Sequence, residues 1–166
     1  MILGMSIQTF TIVHVAISLI AIASGLIVLF GMLAAKRLVG WTGLFLLTTI
    51  LTSVTGFMFP ISGFTPALGT GAISLVVLAI ALLALYGRHL AGAWRWIYVV
   101  TAVSALYLNV LVLIVQAFQN VPMLKPLAPT QSEPPFLIAQ CVALAVFVVL
   151  GIAAVVKFRP GPVAPA

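Results

Sequence analysis

Acidic side chains are all but missing from this sequence: Glu133 is the only one among 166 residues, and there is no aspartate. Basic side chains are few as well, seven in all, so charged residues make up 5% of the chain, against about 25% in an ordinary soluble domain. That deficit excludes a soluble enzyme and a disordered segment, both of which need charge to stay in water. A nucleic-acid-binding domain is excluded despite the net charge of +6, because scattered cations form no stripe along which phosphates could track. Cysteine is nearly absent too. Cys141 stands alone, so neither an internal disulfide nor a CxxC metal or redox pair can form. With a single carboxylate, placed in a proline-rich loop, there is no acid–base pair and no embedded carboxylate of the sort that couples protons to transport.

What the chain has in abundance is apolar residues, 64% of the total. They run in charge-free stretches at 1–35, 38–87, 96–124 and 134–156. About 20 apolar residues cross a hydrocarbon layer as a helix, so the first, third and fourth stretches hold one crossing each. The second holds two, divided where Pro60, Gly63, Pro66, Gly69 and Gly71 break any continuous helix. The pattern predicts an all-α integral membrane protein, one domain over 1–159, with helices at about 9–35, 41–59, 70–87, 96–118 and 135–157. The tail 160–166 is expected to be disordered. Runs such as 142–150 do not alternate polar with apolar, which argues against a β-barrel. The first helix is expected to stay in the mature protein and not to be a secretory signal, since its basic pair Lys36-Arg37 follows the apolar run.

Five crossings put the termini on opposite sides. One side collects Lys36, Arg37, Arg88, Arg95, Lys157 and Arg159; the other has only Lys125 and Glu133, which cancel. The positive-inside rule then predicts the N-terminus outside and the C-terminus in the cytoplasm, in what is expected to be a bacterial inner membrane. Trp41, Trp94, Trp96, Tyr86 and Tyr98 all fall at the basic ends of the helices, where interfacial aromatics belong. The loop 119–134, rich in proline, is expected to be extended, with Thr130 or Ser132 capping the last helix.

Polar residues inside the spans gather in the outer half or at the centre: His14 and Ser18 on helix 1, Thr48, Thr52 and Thr55 on helix 2, Asn109 (near the midplane) and Gln116 on helix 4, Gln140 on helix 5; the inner half has mainly Thr101, Ser104 and Tyr107. Polar groups avoid lipid tails. Their placement predicts an outward-facing crevice between helices 1, 2, 4 and 5, lined by His14, Ser18, Thr52, Thr55, Asn109, Gln116 and Gln140. The plainer reading is that Ser and Thr bond their own backbone and that Asn and Gln hold helices together. For His14 a hydrogen bond to Gln116 or Gln140 is expected. Helix 3, with Ser74 as its only embedded hydroxyl, is expected to face lipid, and Ala21/Gly25, Thr52/Gly56 and Ala139/Ala143 have the spacing of tight helix packing.

His14 and His89 lie at opposite ends of their spans, so they cannot share a haem. A mixed site remains open on the outer side, where Met5, Met58, Met123 and Cys141 accompany His14; His14, Met58 and Cys141 are the candidate ligands for copper or haem iron. No cofactor is the leading expectation, haem or copper the alternative. The reading is therefore a non-catalytic accessory or binding component, in contact with the lipid bilayer and with other membrane subunits or copies of itself. The alternatives are a haem- or copper-binding electron carrier built on His14 and an oligomeric small-molecule carrier.

Overall fold

The computed structural model describes residues 1–60 and 62–160. Five helices follow one another: α1 (Ile7–Leu33), α2 (Val39–Gly56), α3 (Pro66–Leu82), α4 (Trp94–Asn120) and α5 (Pro134–Lys157). Each is long and apolar enough to cross a membrane when α3 is taken with the π-helical turn Leu83–Gly87 that extends it. The ends lie within four residues of the expected ones. The expected tail at 160–166 falls, beyond Pro160, outside the described residues.

Local chemistry explains several boundaries. Ser6 accepts a hydrogen bond from the Thr9 amide and caps α1, and Thr65 does the same for α3 from the Leu68 amide, with Pro66 in the first turn. α1 ends in a Schellman turn: the Lys36 amide bonds Gly31 O and the Ala35 amide bonds Met32 O, with Ala35 left-handed at φ 55°. The extension of α3 closes with a bond from the Arg88 amide to Leu83 O, five residues back.

The loop between α4 and α5 is not extended. It carries a 3-10 turn at Lys125–Leu127, buries Ala128, and is tied down by Gln131, whose amide donates to Val115 O at 2.9 Å. Neither Thr130 nor Ser132 caps α5. The cap position is Glu133, and its carboxylate turns back to accept from Thr130 N, Thr130 Oγ1 and Ser132 N. That one carboxylate takes the Thr130 hydroxyl and the Thr130 and Ser132 amides, which proline spacing alone does not reveal.

α4 is the hub, in contact with all four other helices; α1 packs mainly on α2, and α3 mainly on α4. Small residues set the closest approach. A Cβ on Gly25 would come within 2.6 Å of Leu106 and 2.9 Å of Phe45, so α1, α2 and α4 meet where the Ala21/Gly25 spacing anticipated. The expectation for α3 is corrected. Ser74, Leu78 and Ala81 are buried against its neighbours. The helix that lies out on the surface is α5, with 6% of its most apolar stretch buried against 28% for α3. A lack of polar residues does not mark a lipid-facing helix here, because α3 packs through alanine and leucine.

The apolar core sits in one half of the bundle. Its members, among them Leu29, Met32, Phe45, Leu78, Leu85, Tyr98, Val99, Leu106 and Phe158, cluster toward the end that carries Lys36, Arg37, Arg88 and Arg95. Among the described residues, 1–21, 51–60, 62–76 and 111–146 contribute nothing to it. Tyr98 belongs to this core, only 2% exposed, instead of lying at an interface; Trp41, Tyr86 and Trp96 are exposed at the same end.

Candidate functional site

The polar side chains of the opposite half are held on three seams between helices. On the seam of α1 and α2, His14 Nδ1 lies 2.7 Å from Thr55 Oγ1. Thr55 directs its one hydroxyl hydrogen to Leu51 O at 2.6 Å, within its own helix. Thr55 is therefore the acceptor and His14 the donor, which assigns the Nδ1–H tautomer and leaves Nε2 with a free lone pair. Phe59 stacks edge-on against the imidazole at 5.2 Å between ring centres. Gly56 lies alongside, and a Cβ there would still be 3.8 Å from His14 Cε1.

The same seam fixes the level of two more residues. α1 and α2 run antiparallel, with His14 beside Thr55, Gly25 beside Phe45 and Gly31 beside Leu38. That register puts Ser18 level with Thr52. Ser18 donates to His14 O, whereas Thr52 Oγ1 is buried without a partner. A small polar strip of His14, Thr55, Ser18 and Thr52 thus runs down the interface, half-buried along its length.

Asn109 lies on a second seam, where Nδ2 donates to Thr49 Oγ1 of α2 at 3.3 Å. Gln140 is on the third, donating from Nε2 to Leu111 O of α4 at 3.2 Å, with Oε1 buried and unpartnered. Gln116 belongs to none of these. It is exposed and accepts from Asn120 one turn on. His14 accordingly pairs with neither Gln116 nor Gln140; the partner is Thr55, because α1 packs mainly on α2. The remaining hydroxyls follow the plainer reading, with Thr48 and Ser53 donating to carbonyls of their own helix.

The residues considered for a metal are scattered. Met58 lies in the turn after α2, Cys141 is exposed on α5, and His89 is exposed in the turn before α4. Among the described residues no three His, Cys, Asp or Glu side chains stand together. His14 Nε2 is the one ring nitrogen in the strip able to accept a proton or a hydrogen bond or to ligate a metal.

Sequence reasoning missed Thr49, which falls off the Thr48/Thr52/Thr55 stripe, and Arg95. The Arg95 guanidinium donates to Val155 O at 2.9 Å and to Phe158 O, covering two carbonyls at the end of α5. Charge position along the chain showed Arg95 only as one of the cations on its side. Compared with family models, with curated proteins and with solved structures, the chain matches none.

Proposed function

We propose that this chain is a non-catalytic integral membrane protein of five crossings, N-terminus outside and C-terminus in the cytoplasm of a bacterial inner membrane. In this reading it serves as an accessory or binding component of a membrane assembly, presenting a polar notch to the outer side. The observation that carries it is the division of the bundle: the main apolar cluster lies toward the basic end, and the polar strip His14–Thr55–Ser18–Thr52 lies outside it. Six basic residues at the core end and none beyond Lys125 at the other support the orientation. Asn109 and Gln140 line neighbouring seams, and the exposed Gln116 adds to the polar surface available to a ligand.

Accessibility tests it. In a Cys141→Ser background, His14→Cys is expected to react with a small thiol reagent added from outside and more slowly with a bulky one. Inertness to both means that the strip is sealed and the notch does not exist.

A second reading is favoured by one observation, the free Nε2 of His14. A histidine that ligates a metal holds its other nitrogen in a hydrogen bond, as Nδ1 is held by Thr55. Haem iron or copper at Nε2 would make the chain an electron carrier. A Soret band in the absorption spectrum of the purified protein selects this reading over the first.

A further inference from the structure

A small cavity opens at the basic end of the bundle, the end opposite the polar strip. All five helices or their ends reach it: Met32 of α1, Thr42 of α2, Tyr86 in the extension of α3, Tyr98 of α4 and Phe158 just after α5, with Lys36 and Arg37 from the α1–α2 turn. We propose that this cavity binds a phosphate group, taking one of its oxygens between the Lys36 and Arg37 side chains and the hydroxyls of Thr42 and Tyr98. The phosphate comes either from solution or from a phospholipid headgroup, and only the headgroup source rests on the membrane reading above.

The polar groups in the lining favour an anion. Lys36 and Arg37 carry donors only, and no carboxylate lines the cavity. Glu133, the only acidic side chain of the chain, precedes α5 at its far end. The hydroxyls add a demand of their own. Tyr98 is 2% exposed and Thr42 6%, and the Tyr98 hydroxyl faces Thr42 with the Arg37 charge nearby. Thr48, further along α2, spends its hydroxyl hydrogen on Leu44 O; Thr42 makes no such bond to a carbonyl among the described residues. Facing hydroxyls carry one hydrogen each, and a bond between them uses only one. The other is left for an acceptor in the cavity, and leaving it unmade is costly where water is scarce.

Size and position narrow the acceptor. The cavity volume of about 20 Å³ admits roughly one oxygen-sized atom, so the ligand inserts a single oxygen and keeps the rest at the mouth beside the cations. A water would satisfy the hydroxyl and leave the cations to solvent. A phosphate satisfies both, and guanidinium suits its geometry. Trp41 and Tyr86 are exposed at the same end and mark the level of an interface, where phospholipid phosphates lie. The binding groups are also fixed in advance. The Lys36 amide closes the turn on Gly31 O, and Leu38 packs onto Gly31. The Tyr98 ring stands 6.1 Å from that of Phe158, whose carbonyl accepts from Arg95. Little ordering is then left to be done on binding.

The test uses the full chain in a neutral detergent at fixed ionic strength. It is titrated in parallel with inorganic phosphate, dioctanoyl phosphatidylglycerol and dioctanoylglycerol, and binding is read as a rise in melting temperature. Saturable stabilisation is expected with inorganic phosphate, with the phospholipid or with both, and none with dioctanoylglycerol, which has the chains without the phosphate. Inorganic phosphate acting alone assigns a soluble ligand, and the phospholipid acting alone assigns a headgroup. Arg37→Gln, in an exposed turn, should raise the half-saturating concentration about tenfold or more, the worth of a charge-assisted bond. Thr42→Val with Tyr98→Phe should raise it about fivefold, the worth of one net hydrogen bond. Lys157→Gln, at the same end but outside the cavity, should leave it unchanged. The absence of saturable stabilisation by either phosphate probe overturns the proposal. So does a loss with Lys157→Gln as large as with Arg37→Gln, which would indicate general surface charge, and so do hydroxyl variants that bind as the native chain does. Failure of the chain to float with lipid vesicles would sink the membrane reading and remove the headgroup source alone.

Discussion

His14, Asn109, Ser74 and Glu133 are polar residues in four different situations, and each predicts a different response to substitution. Thr55 is the sole hydrogen-bond partner shown for the His14 imidazole. Thr55→Val should leave Nδ1–H unpaired and destabilise the protein by about 1–3 kcal/mol, read as a lower melting temperature in detergent. Asn109→Leu removes one long bond to Thr49 and should cost about 0.6 kcal/mol, the average for such bonds between helices in lipid. Ser74→Ala should be neutral or stabilising in the same assay, because the hydroxyl is buried without a partner and its removal relieves that cost. At Glu133, desolvation pushes the carboxyl up, but hydrogen bonds from the Thr130 hydroxyl and from backbone amides together outweigh it and hold it below the usual value of 4.5. A lowered folded-state value means that the contribution to stability is complete above the usual value and is lost as pH falls through the lower one. Amide protection in 121–133, taken relative to the intrinsic exchange rate at each pH, should therefore fall on acidification below the usual glutamate range, and Glu133→Gln should remove that dependence.

Helices end where local chemistry stops them, and two of these ends are open to test. Ala35 occupies the left-handed position of the Schellman turn after α1, at a cost of about 1–2 kcal/mol for a residue with a Cβ. Glycine avoids that cost but loses more entropy on folding. Ala35→Gly is therefore expected to stabilise the protein by up to about 1 kcal/mol, seen as a raised melting temperature; a lowered one would mean that the turn does not need the left-handed conformation. The last turn of α5 depends on Arg95 from another helix. Arg95→Leu should quicken amide exchange near the α5 C-terminus and leave the α1–α2 seam unchanged. How far these elements were legible follows the same lines. Apolar runs and proline–glycine breaks locate all five helices, because one helix must satisfy its own backbone wherever it lies in lipid. Which helix is central is not encoded in that pattern. α3 and α5 are both nearly free of polar residues, yet α3 is buried along far more of its length than α5, and the difference lies in partner geometry.

At the scale of the whole molecule, one sequence pattern and one structural feature point the same way. Basic residues collect at one end, and the apolar core collects at that same end. Depth along each helix was enough to place His14, Ser18, Thr52 and Thr55 in one polar half. It did not reveal that Asn109 and Gln140 lie on separate seams or that Gln116 faces outward, since rotation about a helix axis depends on packing. The central claim is that the chain crosses the membrane five times with the cation-rich side in the cytoplasm. Paired reporter fusions test it most directly, one joined at Lys125 and one after Phe158. The account predicts that the Lys125 fusion reports the outside and the Phe158 fusion the cytoplasm; a Lys125 fusion that reports the cytoplasm would contradict it.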